Sequence, residues 1–379
     1  MKYYIIAGEP SGDLHASNLM KALKAEDKEA QFRYWGGDLM AHEGGELVRH
    51  YRDTAVMGVW DVLTHLGKIN NNFNTCKADL LAHRPDVLIL VDYAGFNLPI
   101  AKFAKQNGIL TFYYIVPKTW ASKEGRNKQL KLYVDKLFTI LPFETQYFAS
   151  KGIDVHYCGN PVMDAIEKRD NKDEQFADFC KRNGLDNRPK VALLAGSRKS
   201  ELKYNLPVML RAVEKFPDYQ FVIAGAPSFT IADYEPYLAG RTDVKIVFMQ
   251  TYQLVSNARA AIVTSGTATL ETAVLNCPQV VVYLMWGGAF SDFVAHRFIK
   301  SKFISLVNLI LGREVVKELF QKAYTFDKLT SELTTLLAES NERKQMLSDY
   351  AELRQMLGGA GCSERAAKAM LNELKKNNL

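Results

Sequence analysis

The sequence of 379 residues repeats one pattern, a short apolar run followed by a more polar segment long enough to form a helix. Successive parallel strands need a crossover connection of that length, which a helix usually supplies. Because strands buried on both faces read as nearly continuous apolar runs, we predict parallel sheets covered by helices on both sides. The pattern forms two series, the first at residues 3–7, 32–35, 87–91, 111–116, 137–141 and 155–158, and the second at residues 191–195, 221–224, 244–248, 262–264 and 280–284.

Two series predict two domains, and the length agrees, because single cores rarely grow beyond about 250–300 residues. Between the series, residues 160–189 are rich in charge and poor in large apolar side chains, which is typical of a helical or irregular linker. After about residue 289 no strand pattern remains. We predict an α/β fold of two doubly wound, Rossmann-like parallel-sheet domains facing across a cleft. The predicted boundaries are 1–165 and 166–350, with a C-terminal helix in 351–379 that returns to the first domain.

Composition disfavours several classes of protein. Apolar residues make up 47% of the chain and charged residues 24%, as in a soluble globular protein. No apolar run approaches the roughly 18 residues of a membrane-spanning helix, and the first apolar run is too short for a secretion signal. The net charge of +6 permits an anionic substrate or membrane surface, whereas no RNA-recognition signature indicates nucleic acid. The scattered cysteines predict reduced cytosolic thiols rather than disulfides or a zinc site: Cys76, Cys158, Cys180, Cys277 and Cys362.

Ligands of parallel sheets bind beyond the carboxyl ends of the strands, so the loops there are candidate sites. After the run ending at Val263, the small residues Ser265, Gly266 and Thr267 form a turn into a predicted helix. The first N–H groups of that helix would bind an anion, and Gly266 would let a phosphate approach the backbone. Glu271 follows about one helical turn later and could accept hydrogen bonds from a sugar hydroxyl. An ordinary turn capped by Ser265 explains the same residues equally well.

The loop after the first apolar run contains Gly8 and Gly12. Their spacing matches neither the G-x-G-x-x-G of a dinucleotide site nor a P-loop, which disfavours NAD and P-loop ATP binding. Glu9 and Asp13 could bind sugar hydroxyls at this edge of the sheet. The alternative is that Asp13 or Ser11 only caps the helix that follows.

Asp92 directly follows an entirely apolar run at residues 87–91. A carboxylate at the end of a buried strand is partly desolvated, which raises its pKa and suits a general base. An acid that stabilises a turn or caps a helix is the alternative.

Arg198 follows Gly196 and Ser197 after the first run of the second series. A guanidinium beside a small flexible turn could bind a diphosphate through two parallel hydrogen bonds. The alternative is a surface arginine paired with Glu201. The seven histidines show no metal-ligand spacing, and no Asp-x-Asp follows a strand, so neither a metal site nor a metal-held sugar nucleotide is predicted.

The segment of residues 56–66, from Val56 to Leu66, is more apolar than its neighbours. Its residues Val59, Leu63 and Leu66 recur at helical spacing, with Trp60 close by. A helix stripe that faces the core is one interpretation. A face exposed for binding lipid is the other.

Together these motifs resemble the lipid-A-disaccharide synthase family, glycosyltransferases of the two-domain GT-B type. The resemblance extends over nearly the whole chain. No single motif is specific to the family, but the order and spacing of the motifs together are. Two positions depart from the family pattern, Ala94 where proline is usual and Ser122 where an aromatic residue is common. The motifs are AGEPSGD (7–13), AVMG (55–58), DYAGFN (92–97), LPFE (141–144), GSR (196–198), SGTATLE (265–271), Asn308 and GREVV (312–316).

The resemblance implies a reaction between UDP-2,3-diacylglucosamine and 2,3-diacylglucosamine 1-phosphate. Its products would be a β-1,6-linked disaccharide 1-phosphate and UDP, formed with inversion and without a metal or cofactor. The N-terminal domain would hold the lipid acceptor, with Asp92 as general base, and the C-terminal domain would hold UDP. The implied substrate-binding residues are Glu9, Ser11, Gly12, Asp13 and Asn97 on the acceptor side, and Arg198, Ser265, Gly266, Thr267, Glu271, Asn308 and Gln321 on the donor side.

The implied partners are a UDP-sugar donor, a lipid-sugar acceptor and a membrane surface, but no nucleic acid. We expect a cytoplasmic enzyme peripherally associated with the inner membrane through residues 56–66, and self-association into a homo-oligomer stays open. Rival interpretations are another GT-B transferase that uses UDP-N-acetylglucosamine, such as the one that builds lipid II, a UDP-sugar epimerase, or a non-catalytic lipid-binding protein. The acid and the arginine at strand ends disfavour the last, because binding alone needs no base opposite a diphosphate site.

Overall fold

The computed structural model describes residues 1–54, 66–284 and 302–376. Every strand pair in these residues is parallel. The strands are β1 (Lys2–Ala7), β2 (Gln31–Gly36), β3 (Glu46–His50), β4 (Val87–Val91), β5 (Thr111–Tyr114), β6 (Lys136–Thr139), β7 (Val155–Tyr157), β8 (Lys190–Leu194), β9 (Gln220–Gly225), β10 (Lys245–Phe248), β11 (Ala258–Thr264), β12 (Gln279–Tyr283) and β13 (Glu318–Phe320). They form a seven-stranded sheet in the order β3-β2-β1-β4-β5-β6-β7 and a six-stranded sheet in the order β10-β9-β8-β11-β12-β13.

Helices connect most of the strands. In the described residues they are α1 (Pro10–Glu26), α2 (Asp38–Glu43), α3 (Tyr51–Thr54), α4 (Leu66–His83), α5 (Ala94–Gln106), α6 (Arg126–Tyr133), α7 (Pro142–Ala149), α8 (Pro161–Glu167), α9 (Phe176–Arg182), α10 (Lys199–Ala212), α11 (Ile231–Leu238), α12 (Thr251–Ser256), α13 (Thr267–Val274), α14 (Leu306–Leu311), α15 (Phe326–Leu337), α16 (Asn341–Leu357) and α17 (Cys362–Lys376). Two single 3₁₀ turns lie at Val213–Lys215 and Gln321–Ala323. None of the helices in the described ranges is both long enough and apolar enough to cross a membrane.

The first of two compact units consists of Met1–Pro161 and the chain from Ala360 onward. Its sheet is buried on both faces because alternate residues of a strand point to opposite sides. In β1, Tyr3 and Ile5 belong to one hydrophobic cluster, whereas Tyr4 and Ile6 belong to the other. The sheet is therefore doubly wound, and the carboxyl ends of its parallel strands lie at one edge.

The C-terminal helix α17 belongs to this first unit and packs against α1. Fully buried side chains recur at every fourth position, at Cys362, Ala366, Met370 and Leu374, and Ala367 beside them is buried as well. Residues four apart lie on one face of a helix, so this spacing forms a single apolar stripe. The stripe completes the hydrophobic cluster that contains Leu19 of α1.

The second unit, Val162–Gly359, is built in the same way around β8 and β11. The charged segment of residues 160–189, which was predicted to be a linker, contains α8 and α9. The linker interpretation was wrong for α9, because this helix is part of the core. Phe179 and Cys180 are buried and belong to the hydrophobic core of this unit, and Phe176 packs against them. Apolar residues at positions i, i+3 and i+4 form this buried stripe, while the charged residues between them cover the outer face.

The predicted fold class of two doubly wound parallel-sheet domains is confirmed. Each predicted run coincides with a strand, but two edge strands were not predicted. The absence of strands after residue 289 was wrong, because β13 pairs with β12. Of its three residues only Leu319 is buried, so β13 leaves no apolar run to recognise. The strand β3 is exposed or half-buried throughout, which explains why its sequence, ELVRH, reads as polar.

Candidate functional site

A pocket of about 440 Å³ lies at the carboxyl-terminal edge of the sheet in the second unit. The neighbouring strands β8, β11 and β12 end at it. Its lining includes five of the predicted donor-side residues: Arg198, Ser265, Gly266, Thr267 and Glu271. Residues that are distant in sequence thus surround one space of a size suited to a nucleotide-like ligand.

The turn between β11 and α13 has an open approach to its backbone. The N-cap residue of α13 is Gly266, so Ser265 does not cap the helix as the alternative interpretation requires. The Ser265 N–H donates to the Val282 carbonyl (3.1 Å), which fixes the turn on the neighbouring strand. A Cβ on Gly266 would have no heavy atom within 4 Å. The Thr269 N–H donates to the Gly266 carbonyl (3.2 Å), whereas the N–H groups of the first two residues of α13 precede any acceptor within the helix and suit an anion.

Glu271 is half-buried on α13 and lines the same pocket. The Tyr252 hydroxyl donates to its Oε1 at 2.9 Å. Burial raises the pKa of Glu271, and the hydrogen bond from Tyr252 opposes that rise. The carboxylate is therefore oriented by α12 and faces a space where hydroxyl groups of a ligand would be hydrogen-bond donors.

Arg198 is the N-cap residue of α10 and is 77% exposed. Its guanidinium lies 3.6 Å from Glu201 Oε1, so the ion pair of the alternative interpretation does form. An exposed ion pair of this kind contributes little to stability, and the arginine is still able to bind a ligand. The second oxygen of Glu201 accepts the N–H groups of Ser197 (2.9 Å) and Arg198 (3.3 Å), which fixes the loop. Gly196 has φ +100°, and a Cβ there would lie 2.6 Å from Glu201 Cβ, so this loop requires glycine.

Asn308 and Gln321 are not among the residues that line this pocket. Asn308 is fully buried, and its side chain donates to the Val316 carbonyl (2.8 Å) and Glu318 (2.9 Å). Its carbonyl oxygen accepts the N–H groups of Val315 (2.7 Å) and Val316 (3.0 Å), so the side chain closes the connection from α14 to β13. Gln321 is 6% exposed at the end of β13.

In the first unit, Asp92 lies half-buried at the carboxyl end of β4. Its φ is +45° and that of Tyr93 is +49°, a left-handed conformation that costs roughly 1–2 kcal/mol for each non-glycine residue. The Asn97 side chain and the Tyr113 hydroxyl donate to the Asp92 backbone carbonyl at 2.8 and 2.5 Å. These bonds hold the strained backbone and leave the carboxylate to other partners, as is common at functional sites.

Burial raises the pKa of the Asp92 carboxyl group. The charges of Lys118 and Arg126 and the Tyr93 N–H act in the opposite direction. A carboxylate whose proton affinity is raised by desolvation has the property that a general base near neutral pH needs.

The loop after β1 lies beside this carboxylate. The Tyr93 ring covers Gly8, where a Cβ would meet the ring at 2.1 Å. Glu9 is the N-cap residue of α1, and both it and Ser11 are exposed. Gly12 is buried, and a Cβ there would meet Ala7 Cβ at 3.3 Å. The predicted acceptor-side residues Glu9, Ser11, Gly12, Asp92 and Asn97 therefore share one edge of the sheet.

Asp13 is 2% exposed and binds the start of α2. Its Oδ1 accepts the N–H groups of Gly37 (2.7 Å) and Met40 (3.2 Å), and Oδ2 accepts that of Leu39 (3.1 Å). A carboxylate that satisfies the first N–H groups of a helix stabilises it. Asp13 does act as a cap, but for a helix that is distant in sequence rather than for the adjacent α1.

Glu144, which was not predicted as a site residue, lies in α7 directly after β6 and is 1% exposed. Its carboxylate accepts the Trp120 indole N–H (3.1 Å) and the N–H groups of Ile140 (3.3 Å) and Leu141 (3.0 Å). Burial raises the pKa of Glu144 to about 7, against these bonds and the charge of Lys118. The sequence signal was a glutamate at the third position of α7, from which its carboxylate reaches back to the N–H of the N-cap residue Leu141, and this indicates only a local bond.

Within the ranges that the structure describes, no group of three or more His, Cys, Asp or Glu side chains could hold a metal ion. The apolar segment of residues 56–66 falls almost entirely in the range 55–65, outside the described residues.

Comparison with solved structures identifies the fold. The UDP-GlcNAc 2-epimerase from Neisseria meningitidis bound to UDP-GlcNAc matches with a TM-score of 0.69 at 13% identity, over 98% of this chain and 100% of that one. The glycotransferase of kitacinnamycin matches with a TM-score of 0.64 at 14% identity, over 98% and 99% of the two chains. These likenesses establish the GT-B type of fold, which transferases and epimerases share.

Comparison of sequences identifies the family. The profile described as Lipid-A-disaccharide synthetase matches residues 3–372. The lipid-A-disaccharide synthase of Syntrophus aciditrophicus is 36% identical over 380 residues, which cover 99% of this chain and 98% of that one. The enzyme of Geobacter metallireducens is 35% identical over 378 residues, covering 98% and 97%. Matches of this extent show that the chain belongs to the lipid-A-disaccharide synthase family.

Proposed function

We propose that this protein transfers 2,3-diacylglucosamine from UDP to the 6-hydroxyl of 2,3-diacylglucosamine 1-phosphate. The products are a β-1,6-linked disaccharide 1-phosphate and UDP. The observation that carries the proposal, beyond family membership, is Asp92. It is a half-buried carboxylate with a raised pKa, held at a strand end by strained backbone.

In the proposed reaction, the Asp92 carboxylate takes the proton of the acceptor 6-hydroxyl. The hydroxyl oxygen then forms a bond to the anomeric carbon of the donor while the bond from that carbon to the UDP oxygen breaks. Because this is one displacement, the configuration at the anomeric carbon inverts. The electron pair of the broken bond leaves on the diphosphate, which is where stabilisation is needed.

We assign the donor to the pocket of the second unit. Arg198 and the N–H groups at the turn Ser265–Gly266–Thr267 would stabilise the charge that grows on UDP, and Glu271 would bind the ribose hydroxyls. Gln321 stays a proposed residue of the nucleotide side. For Asn308 we propose an indirect part, because its side chain is committed to the backbone. No metal or cofactor is part of the proposal.

We assign the acceptor to the strand ends of the first unit. Glu9, Ser11 and the backbone at Gly12 would bind the acceptor sugar, because they are at the same edge as Asp92. Asn97 and Asp13 would act as positioning residues. Asn97 binds the Asp92 carbonyl, and Asp13 holds the start of α2.

The proposed location is the cytoplasmic surface of the inner membrane, because both substrates carry acyl chains and must be met at a bilayer. The segment from Val56 to Leu66 is the proposed contact, and this rests on its sequence alone. Its apolar residues and Trp60 are of the kinds that bind at a membrane surface.

The test is to incubate the purified protein with both lipid sugars and to measure disaccharide by mass spectrometry and UDP release in the same samples. We expect disaccharide and UDP in equal amounts. UDP-N-acetylglucosamine is supplied in parallel, because the fold is shared with UDP-GlcNAc 2-epimerases. Epimerisation of that sugar nucleotide without disaccharide from the lipid sugars would contradict the proposal and favour the rival activity.

A further inference from the structure

The loop between β5 and α6 lies beside Asp92 because β5 is the neighbour of β4 in the sheet. The Asp92 N–H donates to the Tyr114 carbonyl at 3.3 Å, directly before this loop begins. Within the loop, the N–H groups of Ala121 and Ser122 donate to the Lys118 carbonyl at 3.1 and 3.3 Å. The Arg126 N–H closes a further turn on Lys123 (2.9 Å). Lys118 and Arg126 therefore both belong to the connection from β5 to α6, which is held by its own backbone hydrogen bonds.

A buried contact fixes this loop to the rest of the first unit. Trp120 donates to Glu144 and packs edge-on against Phe143, with ring centroids 5.0 Å apart. Glu144 in turn holds the backbone of Ile140 and Leu141 at the end of β6. The loop that carries the two cations is thus held from both sides, by β4 through Asp92 and by the end of β6 through Glu144.

The connection from β5 to α6 carries three cations, Lys118, Lys123 and Arg126, and one acid, Glu124. Glu124 forms an ion pair with Lys151, which lies outside the loop (2.6 Å). In the part of the chain that the structure describes, neither the Lys118 ammonium nor the Arg126 guanidinium has an acidic partner within 4 Å. Lys118 is exposed and Arg126 half-buried, so both can be reached by a ligand. Both charges also lower the pKa of Asp92, which means that they act on the proposed base itself.

We infer that Lys118 and Arg126 form the site for a phosphate monoester, the 1-phosphate of the acceptor. The inference rests on the proposed function and extends it to the choice of acceptor. Donor and acceptor carry the same diacylated sugar, and the free phosphate monoester is what distinguishes the acceptor. The anomeric carbon and the carbon that bears the 6-hydroxymethyl group are both bonded to the ring oxygen. Cations close to the base of the 6-hydroxyl are therefore also close to the phosphate.

The test compares two acceptors, with and without the 1-phosphate, in neutral detergent. For each protein the ratio of the two kcat/KM values is measured, with UDP-2,3-diacylglucosamine as donor. The wild type should prefer the phosphorylated acceptor. In Lys118→Gln and in Arg126→Gln the ratio should fall by about 10- to 100-fold, the scale of one charged hydrogen bond, and in the double variant further. Any effect of the substitutions on Asp92 applies to both acceptors and cancels in the ratio.

Two further variants separate charge from structure. Lys128→Gln removes an exposed lysine of the same helix, two residues after Arg126 and hence on another side, and should keep the wild-type ratio. Arg126→Lys keeps the charge and should restore part of the preference that Arg126→Gln loses. A double variant that keeps the wild-type ratio, while still making disaccharide, would overturn the phosphate site and leave the proposed function standing.

The other source of a phosphate is a lipid headgroup, and the same variants distinguish it. If the substitutions instead lower kcat/KM for both acceptors alike, and only when vesicles containing anionic phospholipid replace the neutral detergent, the cations bind headgroups and the acceptor site is overturned. If the wild type makes no disaccharide from either acceptor, the proposed function itself fails, and the phosphate site fails with it.

Discussion

Asp92 lies at the end of β4 and Asp13 in the first turn of α1, which follows β1, and the partners of these two aspartates differ. The backbone of Asp92 is held by other residues, whereas its carboxylate is half-buried beside two cations. The carboxylate of Asp13 is buried and accepts hydrogen bonds from three backbone N–H groups. We propose a catalytic role for the Asp92 carboxylate and a structural role for that of Asp13, so their substitution should affect different measurements.

Asp92→Asn keeps the size of the side chain but removes the base. We expect kcat/KM to fall by about 10²–10⁴, the usual range for acid–base catalysis, with little change in the melting temperature. In the wild type, kcat/KM should decline as the pH falls through a pKa above the ordinary aspartate value of 3.8, because only the deprotonated base works and burial raises that pKa. Near-normal turnover of the folded variant would refute the role of Asp92.

Asp13→Ala leaves the start of α2 without its acceptor. Unsatisfied buried N–H groups cost about 1–3 kcal/mol each, so the free energy of unfolding in urea should fall by at least that amount. Asp13→Asn, which keeps one acceptor oxygen, should recover part of the loss. Unchanged stability together with lost activity would instead place Asp13 in contact with substrate.

At the scale of elements, the pocket that we propose for the donor depends on two strand–turn–helix units, β8 to α10 and β11 to α13. Arg198→Ala should lower both kcat and the calorimetric affinity for UDP, because charge on the leaving group grows in the transition state. Glu271→Gln should act mainly on UDP affinity, since the ribose does not change during the reaction. Unchanged UDP affinity in both variants would contradict this division. Lys199→Ala, an exposed residue beside Arg198 on α10, is the matched control.

These strand–turn–helix units can be predicted from the sequence, because the residues that indicate them are adjacent in the chain. The apolar run of β4 followed by Asp92, and the small residues after β11, identify strand ends without any tertiary information. What is missed depends on partners far away in the chain. Asp13 binds backbone N–H groups in residues 37–40, and Trp120, which follows β5, donates to Glu144, which follows the neighbouring strand β6. Asn308, which only the resemblance implied, differs from these two, because its partners lie close by in the chain: the backbone of Val315 and Val316 and the carboxylate of Glu318.

At the scale of the whole molecule, a membrane contact through residues 56–66 is a prediction from sequence. Replacing Met57 and Trp60 with Ser should weaken binding to liposomes and the use of lipid acceptor, with the melting temperature little changed. Burying two large apolar side chains in lipid contributes on the order of 3–6 kcal/mol, which is enough for reversible attachment. A large fall in melting temperature would instead place these side chains in the core.

The central claim is that one displacement, with Asp92 as base, joins two diacylated sugars. The most direct measurement is NMR of the disaccharide made by the purified protein, read together with the amount of UDP released. The account predicts a β-1,6 linkage that retains the 1-phosphate, with one UDP for each disaccharide and no product from Asp92→Asn on the same timescale. An α linkage, or a bond to a hydroxyl other than the 6-hydroxyl, would contradict it.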